Sequence, residues 1–262
     1  MLRADRHQYL YLADNPRFRV ERARNVEDLT AAFQVLHDTY VRAGLITARA
    51  LALRITAHQL LPSSDVFVAK VHDEVVATLS LIGDSSIGLP MESMYVAKIN
   101  ALRQTGESLA EVGCLADRRS RFSRSLEAFY AMTRLMAQTA RRRGITMLVA
   151  AVHPRHARFY QQVLGFDQLA GETQCPYAAG KPAVALGLRF EDKRGTRIYD
   201  QYFAEALPDD ETSPIPVPDH IRQHFATYVE PLPSDPAAAD HGTPAISPGL
   251  AATHSTTSGA TV

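Results

Sequence analysis

The stretch that most constrains the fold is ITMLVAAVHPRHARFYQQVLGF, residues 145–166. Ile145, Met147, Leu148, Val149, Ala150, Ala151 and Val152 form an apolar run, the pattern of a strand buried on both faces. Pro154 falls where a fixed φ and a missing N–H suit the first turn of a helix. Phe159, Tyr160, Val163 and Leu164 recur at helical spacing, and Gly165 offers the left-handed residue that ends a helix. Phe166 opens a further extended segment. Strand, short helix and strand in succession place the chain in the α/β class, and an ordinary βαβ-type junction with a packing Tyr160 would read the same way.

The elements on either side extend this pattern. Residues 17–23 alternate Phe18 and Val20 with polar neighbours, as a first strand does. Asn25 can cap a helix that carries Glu27 and Asp28 in its first turn, Leu29, Ala32, Phe33, Leu36 and Tyr40 as its apolar stripe, and Gly44 at its end. Residues 49–61 are expected to form a second amphipathic helix, stopped by Pro62. Residues 66–71 and 75–82 flank His72-Asp73 as an antiparallel hairpin, and 91–103 read as a helix with Met94, Tyr95, Ile99 and Leu102 on its apolar side. Residues 108–116 are a strand, and Ser123 or Ser125 can cap a long helix that ends at Gly144 after Arg141 to Arg143. Residues 182–190 supply a last strand. Helices are expected at 194–206 and 220–230, with a proline-rich connector between them.

These elements divide the chain into an N-terminal extension (1–16), a catalytic-sized α/β domain (17–190) and a helical extension (191–230). From 231 to 262 the composition is mostly Pro, Ala, Ser, Thr and Gly with few large apolar side chains, which buries too little surface to offset the entropy of ordering, so disorder is expected there. The 46% hydrophobic content over 262 residues is ample for a core. No apolar run approaches the ~18 residues of a membrane-crossing helix, and residues 1–19 are too charged for a secretory leader, so a cytoplasmic location is expected. No nucleic-acid partner is expected. Cys114 and Cys175 are too few for a disulfide framework and lack metal-ligand spacing. Of the 28 basic residues only Lys70, Lys98, Lys181 and Lys193 are lysines, so arginine dominates. Arginine suits planar recognition of carboxylate and phosphate, and codon bias produces the same excess.

The order of elements, ending in the Phe159-Tyr160 and Gly165-Phe166 pair, resembles the Gcn5-related N-acetyltransferase superfamily, whose fold is a mixed, mostly antiparallel sheet flanked by helices. The segment LPMESMYVAKINALRQTGESLAEVGCLA, with Leu102, Arg103 and Gly106 leading into Ala-Glu-Val, together with HPRHARFYQQVLGF, resembles the long-chain N-acyl amino acid synthases, N-acyltyrosine synthases among them. These are relatives of the acyl-homoserine-lactone synthases and share the inserted helix before the fourth strand. The resemblance implies transfer of a medium- or long-chain fatty acyl group from acyl carrier protein to the α-amine of an amino acid, with acyl-phosphopantetheine or acyl-coenzyme A as co-substrate and no permanently bound cofactor. Alternatives are an acetyl-coenzyme A-dependent N-acetyltransferase and a non-catalytic acyl-thioester sensor.

One departure bears on the donor. Where typical acetyltransferases carry a glycine-rich turn that cradles a pyrophosphate, this chain has RRSRFSRSLE, so Arg118, Arg119, Arg121, Arg124 and Ser125 are candidates for contacting a phosphopantetheine phosphate and an acidic carrier surface. A solvated helix start is the other reading of these residues. Attack of an amine on a thioester needs a base, an oxyanion donor and a proton for the leaving thiolate. Glu111, alone in an apolar strand, is the candidate base or else a structural partner of an arginine. The resemblance implies the Leu115 N–H as oxyanion donor and Tyr160 as acid, with aromatic packing the other reading of Tyr160. Cys114 with His153 or His156 would instead make a thiol nucleophile. Phe33, Tyr40, Met94, Tyr95 and Phe122, with Phe67, Met91 and Phe129, are candidates for an apolar acyl channel or for core.

Overall fold

The structure is a computed structural model; it describes residues 18–118 and 122–230, the side chains of 122–126 excepted, so the expectations for 1–16 and 231–262 lie outside the described residues. Seven strands form one sheet in the order β1-β2-β3-β4-β5-β7-β6: β1 (Arg19–Arg22), β2 (Asp65–Val71), β3 (Glu74–Gly83), β4 (Leu109–Asp117), β5 (Met147–Val152), β6 (Asp167–Cys175) and β7 (Lys181–Arg189). Only β4 and β5 pair in parallel; the other five pairings are antiparallel. This is the mixed, mostly antiparallel sheet expected.

Helices cover both faces, which explains the unbroken apolar runs. Along β2, Val66 and Val68 join the core under α1 (Val26–Arg42), whereas Phe67 and Ala69 face α3 (Phe122–Arg142). Leu109 of β4, Met147 and Val149 of β5 and Ala185 of β7 pack under α2 (Glu92–Gln104); Ala110, Leu148 and Leu186 turn to the α3 side with α4 (Pro154–Leu164). Asn25 caps α1 by accepting the Asp28 N–H at 2.7 Å. His72 and Asp73 both take positive φ in the two-residue hairpin turn. At the end of α4 Gly165 has φ +76°, and a Cβ there would come within 2.4 Å of Ile198, so the position excludes other residues on two counts.

Three expectations are corrected. Residues 49–61 are not an amphipathic helix: Ala52 is left-handed, the Arg54 N–H reaches the Phe33 carbonyl, Thr56 bridges Glu230 in parallel, and only Ala57–Leu60 makes a single 3-10 turn. Long-range partners for Arg54, Ile55 and Thr56 override the local periodicity. The long helix begins at Phe122, ahead of both serines proposed as its cap. The C-terminal helices are shorter than expected, at α5 (Arg197–Phe203) and α7 (Asp219–Ala226), and the connector holds one turn, α6 (Asp209–Thr212). After α7 the chain extends, and the Glu230 N–H bonds the Ile55 carbonyl at 2.8 Å.

Candidate active site

Glu111 lies on the α1/α2 face of β4, opposite Ile82 of β3 and Val149 of β5. Its side chain is buried and, among the described residues, has no ion-pair partner; Oε2 accepts the Met91 N–H at 2.8 Å. Burial pushes its carboxyl up to about 8, against the pull of the Met91 N–H and with a further rise from the Glu92 charge. An acid that titrates there can exchange a proton near neutral pH. The arginine partner weighed from sequence is absent among the described residues.

Beyond Glu111, β4 and β5 no longer pair. Three residues further on β4 carries a bulge, between the pairs Ser80–Gly113 and Thr78–Ala116, with Cys114 at φ +52°. The extra residue resets the alternation of faces, so Cys114 and Ala116 pack on the α1 side while Leu115 packs on the α3 side. A non-glycine residue in this conformation is costly, and such strain concentrates at working sites. Burial pushes the Cys114 thiol up to about 11, and neither His153 nor His156 is among the groups acting on it. Both histidines are used at the start of α4, where His153 accepts the Arg155 N–H and the Arg155 Nε–H points at His156. Cys114 is therefore held as a thiol rather than a nucleophilic thiolate.

Tyr160 of α4 is buried at 8% exposure, its ring 5.5 Å from that of Phe166. Burial pushes its phenol up to about 12, so it stays protonated. Its hydroxyl has no hydrogen-bond partner among the described residues, unlike that of Tyr95, which lies 2.7 Å from the Ala183 carbonyl and 2.9 Å from that of Gly171. Burial raises the Tyr40 pKa, and Cys114, Arg54, Tyr160 and Cys175 all lie near enough to influence its charge.

The remaining candidates are placed as follows. Phe33 is fully buried and meets Phe225 edge-on at 5.2 Å, and Phe67 and Met91 are also fully buried. Met94 packs at the margin of the α2 core, and Tyr95 pins α2 to β6 and β7. Phe129 meets Phe159 at 5.5 Å. Arg118 pairs with Glu74 of the hairpin. Arg119 and Arg121, and the side chains of Phe122, Arg124 and Ser125, lie outside the described residues.

Two features were missed from sequence. Arg103 forks onto Asp84 (2.7 and 2.8 Å) and also pairs with Glu92, whose carboxylate accepts the Leu89 N–H. The network fixes the loop that delivers the Met91 N–H to Glu111; the Leu-Arg-x-x-Gly motif was the available signal. Arg54, 5% exposed, pairs with Glu230 and donates to the Tyr177 carbonyl at 3.1 Å beside an open cleft of about 370 Å³ lined by Arg49, Thr56, Tyr177 and Glu230. No local pattern marked it.

Comparison with known proteins gives the fold and the family. The profile of the N-acyl amino acid synthase FeeM family matches residues 31–189, more than half of the chain. Among solved structures, FeeM, an N-acyl amino acid synthase from uncultured soil microbes, is 26% identical with a TM-score of 0.61, covering 71% of this chain and 97% of its own. The acyl-homoserine-lactone synthase LasI, 14% identical with a TM-score of 0.51 over 73% of this chain and 96% of its own, shares the fold. A search of curated protein sequences finds no match. The chain belongs to the FeeM family of N-acyl amino acid synthases and is an acyltransferase.

Proposed function

We propose that this acyltransferase moves a medium- or long-chain fatty acyl group from the phosphopantetheine thioester of acyl carrier protein to the α-amine of an amino acid. The observation that carries the reading is Glu111, an acid buried where β4 parts from β5 with no counter-ion among the described residues. The amine nitrogen attacks the thioester carbon, Glu111 takes the amine proton directly or through water, and the carbon–sulfur bond breaks. The Leu115 N–H at the bulge stabilises the oxyanion, and Tyr160 gives the departing sulfur its proton. Burial serves both residues, raising Glu111 into the working range and keeping the Tyr160 phenol neutral.

The choice of donor rests on the arginine-rich RRSRFSRS segment, where typical acetyltransferases have glycines. Arg118, Arg119, Arg121, Arg124 and Ser125 would meet the single phosphate of phosphopantetheine and the acidic carrier surface. A cytoplasmic location, where carrier protein and amino acids meet, goes with this reading. The test compares wild type with the triple change Arg119→Ala, Arg121→Ala, Arg124→Ala. The variant should lose rate with acyl carrier protein and lose its salt dependence, because such charges act mainly on encounter, yet use acyl-pantetheine nearly as well as wild type. Efficient wild-type turnover of acetyl-coenzyme A, with no gain from long acyl-carrier-protein donors, would overturn the proposal in favour of an ordinary N-acetyltransferase.

A further inference from the structure

Arg54 is a buried cation at the edge of an open cleft. Its guanidinium is buried, rests 5.4 Å from the Tyr40 ring centroid, and is oriented by the Tyr177 carbonyl. Tyr177 and Cys114 each lie within reach of both the Arg54 and the Glu111 charge, so these two residues stand between the cleft and the proposed base. Among other buried or half-buried arginines, Arg22 and Arg143 pair with Asp65, and Arg103 with Asp84 and Glu92.

The partner of Arg54 is unusual in origin. Glu230 comes from 176 residues further along the chain, beyond the 31–189 match, and is laid beside residues 55 and 56 by a backbone hydrogen bond to Ile55 and the Thr56 bridge. The pair is incompletely satisfied: Arg54 Nε and Glu230 Oε1 are buried without hydrogen-bond partners, and Arg49 stands 3.6 Å from Oε1 with its side chain 43% exposed at the rim of the cleft. A buried pair with orphaned polar atoms is poor structural material, because its attraction barely offsets desolvation. A carboxylate that enters from the cleft would find the same fork, with bidentate geometry on offer.

We propose that Arg54 is the anchor for the α-carboxylate of the acceptor amino acid, and that Glu230 is an internal carboxylate that occupies this anchor until the acceptor displaces it. The proposal rests on the reading of amino acids as acceptors. Held by its carboxylate at Arg54, an amino acid presents its amine toward the Glu111 neighbourhood. The C-terminal segment then sets the affinity for acceptor, and simple amines lacking a carboxylate have nothing to displace Glu230.

The test uses decanoyl-pantetheine as donor and L-amino acids against their carboxamides as acceptors, with the full-length chain. Wild type should favour the free acids by about 10- to 100-fold in kcat/KM, the range expected when a charge-assisted pair is lost. Glu230→Gln should lower KM for the free acids several-fold with little change in kcat, and Arg54→Gln should erase the acid-over-amide preference. Should Arg54→Gln fail to fold, the wild-type preference and the Glu230→Gln shift still decide. Equal use of acids and amides by wild type, or a raised KM in Glu230→Gln, overturns the anchor while leaving N-acyl transfer in place. Failure to acylate any amine counts instead against the proposed function, and the anchor falls with it.

Discussion

Two buried acids, Asp65 and Glu111, stand in opposite surroundings. Asp65, at 4% exposure at the start of β2, lies between Arg143 at 2.9 Å and Arg22 at 3.6 Å. Glu111, at 6% exposure in β4, meets no cation among the described residues and accepts one backbone N–H. Burying a charge is tolerated when it is paired; an unpaired acid instead holds its proton. The contrast separates an acid held between two cations from one that holds its proton instead.

The largest break in this comparison should come from Glu111→Gln. The amide oxygen can still accept the Met91 N–H, so the fold should hold while kcat falls by about 10²–10⁴, the usual contribution of a positioned base. Steady-state acylation assays with circular dichroism check both halves. Asp65→Asn should do the reverse, lowering stability by about 3–5 kcal/mol because Arg22 and Arg143 are left buried without an anion, with kcat of the folded fraction unchanged. Denaturant unfolding at constant m-value reads this. A smaller effect is expected from Tyr160→Phe, about tenfold in kcat with KM nearly unchanged if the hydroxyl acts in the transition state. Wild-type turnover would leave Tyr160 its packing against Phe166 alone.

A further effect is on stability against pH. Because the folded chain holds the Glu111 proton up to about 8 while an unperturbed carboxyl releases it near 4.5, the folded state binds more protons in that window, and stability falls as pH rises through it. The Glu111→Gln protein should lack that component of the slope, which melting temperatures at pH 5 and 8 measure.

Much of this contrast was legible in sequence and part was not. Glu111 stood out as the lone ionisable residue in an apolar strand, and α1 and α4 were marked by Asn25, Pro154 and Gly165, whose effects act within a few residues. The segment 49–61 misled because its apolar spacing fits a helix, whereas Arg54 and Thr56 are claimed by Glu230, 176 and 174 residues away in the chain. The left-handed Cys114 was equally hidden, since the bulge follows from the register of β3 against β4 rather than from any local turn chemistry. Pairings at such separations leave no periodic trace.

The most direct test is the pH dependence of kcat/KM for wild type and Glu111→Gln with an acyl thioester and an amino-acid acceptor. Wild type should rise to an inflection near pH 8, where the Glu111 carboxyl gives up its proton, and the variant should lose that inflection and recover part of its rate only at higher pH, as free amine accumulates. Identical profiles, with wild-type rate retained in the variant, would contradict the assignment of Glu111 as the base.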